Sequence, residues 1–284
     1  RYHVLDYKGN YLGDTLAARS GLWSPETWRD ALAYRAAVMA HRTGRAWRPL
    51  IDTTIAVDYG APEAWSNWRR QNDFYPEGEL LWLAVDMKIR SSSHGKRSID
   101  DFARAFFGID NGSFVTHTYD FDDVVAGLNK IQPYDWATFL HTWVDGTGDQ
   151  VPLLSGIEAS GWKLVYTGKP SAYESALQNV GMGELEGHGI NAMFSVGMFL
   201  RTDGRVEDVL WQGPSFKAGL APSSILLFTA GAGAQEVISV EMPQEVNMVG
   251  AGAFGLPDFY GYEDYHPEGA GFLHANFGNG MWLR

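Results

Sequence analysis

The sequence contains no cysteine among its 284 residues. Disulfide bridges and thiolate metal sites are therefore excluded as supports for the fold. A chain without cysteine fits an oxidising compartment, which slightly favours a periplasmic or secreted location over a cytoplasmic one, although many cytoplasmic proteins also lack cysteine. The core and its polar contacts must therefore hold the chain together.

Long apolar runs are also missing. No stretch approaches the roughly 18–20 residues that span a bilayer, and no signal-peptide pattern is present. The sequence therefore predicts no membrane span. Because the chain starts at Arg1 instead of methionine, we expect a processed or excised piece of a longer protein.

Positive charge is scarce, since 22 Lys and Arg stand against 34 Asp and Glu, a net charge of −12. This balance argues against nucleic acid or an anionic membrane as the main partner. Apolar residues make up 45 %, enough for a sizeable core in one large domain or two ordinary ones. The 11 tryptophans, 13 tyrosines and 15 phenylalanines indicate a well-filled core or an aromatic-lined cleft.

The stretch 72–108 carries the strongest pattern in the chain. Pro76 suits the first turn of a helix, where a missing N–H costs nothing, and the apolar residues up to Ile89 cover more than one helix face. A largely buried helix is therefore predicted. Tyr75 comes just before this helix, at its exposed end, and is the first candidate functional residue.

Other helices have recognisable start and stop signals. Ser24-Pro25-Glu26 combines an N-cap serine, a proline and an acid in the first turn. Ser98 and Asp101 resemble a capping box for a helix that stops at Gly108. The predicted helices are 16–19, 24–43, 76–90, 98–107, 120–130 and 133–145.

The character of the chain changes after residue 146. Glycine and serine become frequent in 147–160, which predicts a linker, and the Gly-rich stretch 168–191 predicts a loop. Alternating apolar residues predict short strands, whereas 250–284 show no clear period. The predicted strands are 162–166, 194–200, 206–211, 225–229 and 236–240, with a one-turn helix in 213–220.

Five motifs occur together in one order along the chain. With them, residues 5–225 resemble the glycyl aminopeptidase family of zinc metallopeptidases. The motifs are Leu16-Ala17-Ala18-Arg19-Ser20-Gly21-Leu22, Trp47-Arg48-Pro49-Leu50, Phe74-Tyr75-Pro76-Glu77-Gly78, Arg97-Ser98-Ile99-Asp100-Asp101-Phe102 and Pro133-Tyr134-Asp135-Trp136.

The resemblance implies an α+β chain, with a mostly α-helical, thermolysin-like C-terminal subdomain followed by a small β-rich PDZ-like domain. Residues 1–150 correspond to the helical second half of a metallopeptidase catalytic domain. A linker and connecting strand (151–190) lead to the PDZ-like domain (191–250), and a Gly- and aromatic-rich tail (251–284) has no predicted structure. The upstream catalytic half of the same protein is expected to be missing.

The zinc ligands of the family are not found in this sequence. Zinc hydrolysis of this kind uses H-E-x-x-H, yet none of the eight histidines has a histidine four residues on or a following glutamate. The family's third ligand is a glutamate in a Y-E-G motif. Lys8 stands at that position, in Tyr7-Lys8-Gly9, and its cation repels Zn²⁺. Zinc is thus the family's cofactor, but this chain alone is expected to bind none.

Two site roles follow from the resemblance. Tyr75, in Tyr75-Pro76-Glu77-Gly78, occupies the position of a tyrosine that donates a hydrogen bond to the tetrahedral oxyanion; the alternative is a tyrosine that only caps or packs on its helix. Ser195, Val196, Gly197 and Met198 stand where PDZ domains bind a peptide's C-terminal carboxylate. The alternative there is an ordinary buried strand with a glycine bulge.

The leading hypothesis is therefore the C-terminal portion of a zinc aminopeptidase that releases N-terminal glycine or alanine, with this chain inactive alone. The alternative is a non-catalytic PDZ-type module that binds peptides or directs assembly. In either case the expected partner is a peptide substrate or a peptide C-terminus. An acidic, aromatic-rich carbohydrate enzyme ranks last, because only unpaired acids support it.

Overall fold

The computed structural model describes residues 10–55, 65–70, 72–110, 112–115, 117–180, 189–201, 203–226, 239–242, 245–249 and 271–274. The helices are α1 (Asn10–Arg19), α2 (Pro25–Ala40), α3 (Asp52–Ile55), α4 (Ser66–Arg69), α5 (Pro76–Ser92), α6 (Ile99–Phe107), α7 (Phe121–Ile131), α8 (Trp136–Val144), α9 (Ser155–Ala159), α10 (Ala172–Val180) and α11 (Pro214–Lys217). The strands are β1 (Lys163–Thr167), β2 (Gly189–Ala192), β3 (Met198–Arg201), β4 (Val206–Val209), β5 (Ser239–Met242), β6 (Glu245–Val249) and β7 (Gly271–His274).

Helix α5 is the centre of the helical part, as the sequence predicted. Every residue from Glu77 to Met87 is buried, because α1, α2, α6 and α9 all pack against it. The contact with α9 is very close: a Cβ added at Gly156 would lie 2.8 Å from the backbone nitrogen of Ala84. Only glycine permits this approach, so Gly156 fixes α9 on α5.

The predicted helix signals are confirmed at two starts, and the structure adds a capping box at a third. Ser24 caps α2 by accepting a hydrogen bond from the N–H of Thr27. Ser98 and Asp101 form a reciprocal capping box at α6, and Asp120 forms another with Asp123 at α7. Each cap pairs N–H groups that the first turn of a helix leaves without partners.

The strands form antiparallel pairs. β2, β3 and β4 make a three-stranded sheet with β3 in the middle, β1 pairs with β6, and β5 pairs with β7. A small core between the strands contains Met198, Leu200, Val206 and Val209. The described part of the chain is thus α+β, as predicted. Within it, no helix combines the length and apolar character that a membrane crossing requires.

The structure differs from the expected elements at several places. Helix α1 begins at Asn10 instead of Leu16, and β7 lies in the tail, for which no structure is predicted. Residues 172–180, expected as a loop, form α10, whose Ala172-Tyr173-Glu174 start follows Ser171; the Ser171 hydroxyl accepts a hydrogen bond from the N–H of Glu174. The strand expected at 194–200 begins only at Met198, because 193–197 form a turn. The stretch 147–160, expected as a linker, includes α9 and contributes Val151, Leu153 and Ile157 to the main core. The expected domain boundaries themselves remain predictions.

Two carboxylates on α5 tie neighbouring helices to it. Asp86 accepts hydrogen bonds from the Tyr11 hydroxyl of α1 at 3.0 Å and from the Ile99 N–H of α6 at 2.8 Å. Glu79 accepts a 2.8 Å hydrogen bond from Arg35 of α2, and Arg35 also pairs with Asp14 of α1. The polar groups therefore specify which helix packs at which level of α5.

Glu79 titrates near neutral pH in this setting. Its burial raises the pKa to about 7, with a further contribution from Asp14 and an opposing one from Arg35. The pKa of Arg35 is also raised: burial alone would lower it, but the charges of Glu79 and Asp14 outweigh that effect. The two shifts are compatible, because one guanidinium serves two carboxylates and the Glu79 side chain is buried.

We expect the Glu79 contribution to stability to be full below its ordinary pKa of 4.5 and lost as pH rises through about 7. The folded pKa lies above the unfolded one, so the folded state holds this proton more tightly. Between about pH 5 and pH 8 the wild type should lose about 3 kcal/mol relative to Glu79→Gln. Urea unfolding at both pH values measures this. The exposed control Glu158→Gln should follow the wild type, and parallel wild-type and Glu79→Gln curves would contradict the assignment.

Candidate functional site

Tyr75 lies at the N-terminal end of α5, where the sequence placed it. It is the N-cap residue of the helix, and its side chain is 49 % exposed. Its N–H donates to the carbonyl of Asn72, and its own carbonyl accepts from the N–H of Glu79. The ring packs against Phe74, with centroids 4.1 Å apart. The phenol is thus presented to solvent from a backbone that is fixed on both sides.

A buried ion-pair network surrounds the turn that carries Tyr75. Two residues before the tyrosine, Asp73 accepts a 2.7 Å hydrogen bond from Nε of Arg70. Two residues after it, Glu77 accepts a 2.6 Å hydrogen bond from Nη2 of the same Arg70. All three side chains are 1 % exposed. One guanidinium therefore clamps both ends of the turn, and we call Arg70, Asp73 and Glu77 the Arg70 clamp.

Further guanidinium groups complete the Arg70 clamp. Nε of Arg42 lies 3.2 Å from Oδ1 of Asp73, and Nε of Arg45 donates to Oε2 of Glu77 at 3.1 Å. Burial still raises the pKa of Glu77, against the lowering effect of Arg70 and Arg45. Arg70 and Arg45 thus offset part of the cost of burying the Glu77 carboxylate.

Arg70 itself adopts an unusual backbone conformation, with φ of +53°. A left-handed conformation costs a non-glycine residue about 1–2 kcal/mol. The cost is offset by three fixed hydrogen bonds of the side chain, the third running from Nη1 to the carbonyl of Arg48 at 2.6 Å. Strain of this kind persists only where the surroundings determine the conformation, as they do here.

The described residues do not supply a zinc site. Across the described ranges, no group of three metal-ligating side chains lies close enough to share an ion. Lys8, which stands at the position of the third zinc ligand, lies outside the described residues. The donor set around Tyr75 consists of carboxylates that are already paired with arginine, which does not fit a zinc ion.

The second predicted site, Ser195–Met198, lies in and after the turn between β2 and β3. The N–H groups of Ser195, Val196 and Gly197 converge on the carbonyl oxygen of Ala192, at 3.3, 3.1 and 2.9 Å. Gly197 has φ of +74°, which favours glycine. Met198 begins β3, which has β2 on one side and β4 on the other. A peptide carboxylate would therefore compete with the Ala192 carbonyl for these N–H groups. A peptide strand added beside β3 would likewise have to displace β2.

The two predicted sites lie on different elements of the structure. The candidate site at Tyr75 also includes buried charged residues that the sequence did not indicate. The clamp residues Arg70, Asp73 and Glu77 were not singled out. One signal could have found the acids: the predicted buried helix begins with carboxylates next to a functional tyrosine, and buried carboxylates need cationic partners. No local pattern identifies Arg70 as that partner.

We expect Arg70→Met to lower the free energy of unfolding by about 3–5 kcal/mol, because two buried carboxylates lose their shared cation. The matched control is Arg104→Met, since Arg104 pairs with Asp101 at 3.2 Å but is 75 % exposed. That change should cost about 0.5 kcal/mol or less. Urea denaturation of both variants tests the difference. Equal losses would show that the clamp does not depend on Arg70.

A comparison with protein-family sequence profiles gives a match over part of the chain. Residues 7–81 match the sequence profile of the M61 glycyl aminopeptidase family, a range that includes Lys8, the Arg70 clamp and Tyr75. Curated individual proteins gave no match. The match supports a resemblance to peptidases of the aminopeptidase type, which hydrolyse peptide bonds. Over these residues, the chain is similar to the M61 glycyl aminopeptidases.

Proposed function

We propose that the chain is the C-terminal portion of an aminopeptidase that releases N-terminal glycine or alanine, in which Tyr75 stabilises the oxyanion. The observation that carries the proposal is the placement of Tyr75. Its phenol is half exposed, whereas the turn beneath it is buried and fixed by the Arg70 clamp. A donor that is fixed before the substrate arrives needs no reorganisation when charge develops.

The local electrostatics support this role. Tyr75 stands at the N-terminus of the 17-residue helix α5, where the helix dipole favours negative charge. The two acids nearest in sequence, Asp73 and Glu77, are paired with arginines and fully buried. They therefore oppose an oxyanion at the phenol much less than free carboxylates would.

The group that attacks the scissile peptide carbonyl must come from residues other than those described. The described ranges hold no zinc-ligand set, and no H-E-x-x-H occurs in the sequence, so no step of the proposal passes through a metal held by them. We extend the proposal to the architecture: the helices around α5 form a thermolysin-like C-terminal subdomain, and the β2–β3–β4 sheet belongs to a PDZ-like domain. The zinc-binding half is then expected upstream in the same protein.

The first test concerns the chain alone. We expect no stoichiometric zinc by elemental analysis and no hydrolysis of glycine or alanine p-nitroanilide, because the sequence has no H-E-x-x-H motif and Lys8 stands at the position of the third ligand. Stoichiometric zinc together with chelator-sensitive turnover would contradict this expectation. The coding sequence immediately before Arg1 then decides the architecture, since a start codon or signal peptide there would contradict an upstream H-E-x-x-H segment.

The same test continues in the longer protein that carries the upstream H-E-x-x-H segment. There, Tyr75→Phe should lower kcat by about 10²–10³-fold and leave KM nearly unchanged, since it removes one donor to the oxyanion. The control is Tyr134→Phe, because Tyr134 is 40 % exposed and belongs to another part of the surface. Equal effects of the two variants would remove Tyr75 from the mechanism.

A second candidate function is peptide binding by the Ser195–Met198 turn. One observation favours it: three successive N–H groups converge on a single oxygen, that of Ala192. A peptide carboxylate oxygen could take that position if β2 moved away from β3, as in the binding of C-terminal peptides by strand addition.

We expect a library of free C-terminal peptides to bind the wild type and to lose binding in Gly197→Trp. A Cβ added at Gly197 would lie 2.9 Å from Cβ of Leu210, so a tryptophan there should distort the turn. Gly219→Trp is the matched control, because Gly219 also has a positive φ of 87° but open space around it. Titration followed by fluorescence anisotropy measures both. Binding that persists in Gly197→Trp would contradict the assignment.

A further inference from the structure

The one-turn helix α4 leads directly into Arg70, the arginine of the Arg70 clamp. Its N-cap residue is Trp65, whose indole donates a hydrogen bond but cannot accept one. Trp65 also has φ of +65°, a conformation that a residue other than glycine keeps only with support from its surroundings. The first N–H groups of α4 therefore need an acceptor from another part of the chain.

Asp208, on strand β4 of the three-stranded sheet, supplies that acceptor. Its carboxylate accepts a 2.8 Å hydrogen bond from the hydroxyl of Ser66 and a further hydrogen bond from the N–H of Asn67. Ser66 and Asn67 are the first two residues of α4. Asp208 is only 3 % exposed, so solvent screens these hydrogen bonds little. A side chain 142 residues away in the sequence thus caps α4.

Hydrogen bonds continue from the cap of α4 to the turn that carries Tyr75. The carbonyl of Ser66 accepts a 3.0 Å hydrogen bond from the N–H of Arg70. The Arg70 side chain donates to the two carboxylates of the Arg70 clamp, at 2.7 and 2.6 Å. The path from Asp208 to both ends of the Tyr75 turn is therefore unbroken.

Arg42 makes a second connection between the sheet and the Arg70 clamp. Its Nε lies 3.2 Å from Oδ1 of Asp73, and both side chains are buried. Arg42 and Asp208 line the same small cavity, of about 30 Å³. Burial raises the pKa of Asp208, and the charge of Arg42 is one of the influences that oppose this rise. Arg42 therefore acts on one carboxylate beside Tyr75 and on another in the sheet.

We propose that Asp208 is a positioning residue for Tyr75, so that the β2–β3–β4 sheet completes the candidate site on the helical part. Asp208 acts through α4 and Arg42 on the Arg70 clamp. Without its carboxylate, α4 loses its cap and Arg70 loses support for its left-handed backbone, with φ of +53°. Buried, contiguous polar contacts of this kind carry coupling between distant groups. The role in positioning rests on the proposed function, whereas the coupling of Asp208 to Tyr75 does not.

The first test uses the full chain, labelled with ¹³C at the ζ carbon of tyrosine. The NMR signal of Tyr75 is assigned by its disappearance in Tyr75→Phe. In Asp208→Asn, one acceptor oxygen becomes an NH₂ group that faces a donor, so the Tyr75 signal should move by more than its line width. Ser66→Ala removes one hydrogen bond of the same path and should move the signal in the same direction. The shift in the double variant should be smaller than the sum of the two single shifts, because both act on one path.

Asp203→Asn is the matched control, because Asp203 is an exposed acid between β3 and β4 that also accepts a backbone hydrogen bond, from the N–H of Arg205. It should leave the Tyr75 signal in place, and the signal of Tyr134 should stay unmoved in every variant. An unmoved Tyr75 signal in a folded Asp208→Asn or Ser66→Ala, or equal movement in Asp203→Asn or at Tyr134, would overturn the proposal. Circular dichroism checks folding, and Ser66→Ala decides alone if Asp208→Asn does not fold.

The second test separates this proposal from the proposed function and uses the longer protein that carries the upstream H-E-x-x-H segment. Asp208→Asn should lower kcat about tenfold, since a small displacement of a catalytic donor is costly. In a Tyr75→Phe background the same change should lower kcat no further. An equal loss in both backgrounds would overturn the positioning role. If Tyr75→Phe leaves kcat unchanged while Asp208→Asn moves the Tyr75 signal, the oxyanion role is wrong and the coupling is still supported.

Discussion

The interaction on which the candidate site depends is the bridge from one buried guanidinium, Arg70, to the carboxylates of Asp73 and Glu77. A turn at a helix start is normally free to shift, because its first N–H groups have no partners within the helix. Here the acids on both sides of Tyr75 are tied to one planar group. The turn that carries Tyr75 therefore keeps its conformation while the ring remains open to solvent, and an oxyanion donor needs a support of this kind.

Buried carboxylates with specific partners also occur further along α5. An apolar helix surface alone packs with little preference for register, whereas each buried carboxylate requires a specific cation or N–H donor. Glu79 selects Arg35 on α2, and Asp86 selects Tyr11 on α1 and the first turn of α6. The hydrophobic contacts supply most of the stabilisation, and these ties determine which helix lies where.

Much of the helical part could be predicted because its signals are local. The Ser24 and Ser98 caps and the start of α5 at Pro76 are short patterns, and the structure contains all three. The helix α10 was missed because its glycine-rich surroundings suggested a loop. The close approach of Gly156 to Ala84 and the choice of Arg70 as a partner depend on residues far apart in sequence. Such pairings have no local signature, so the site could be predicted only as a lone tyrosine.

The contact between the helical part and the β2–β3–β4 sheet differs in kind from the contacts around α5, because aromatic rings make up much of it. A cluster of aromatic rings lies between the two parts and supplies area without direction, because rings tolerate tilted and stacked contacts alike; its members are Trp47, Trp65, Trp68, Trp211 and Phe216. Direction comes from Asp208 on β4, a buried carboxylate that accepts a 2.8 Å hydrogen bond from the hydroxyl of Ser66 on α4. Burial raises the pKa of Asp208. The backbone N–H of Asn67 and the charge of Arg42 also act on Asp208 from the helical part, and Phe194 and Phe199 are buried in the main core. The sheet is therefore held to the helical part by apolar and polar contacts together.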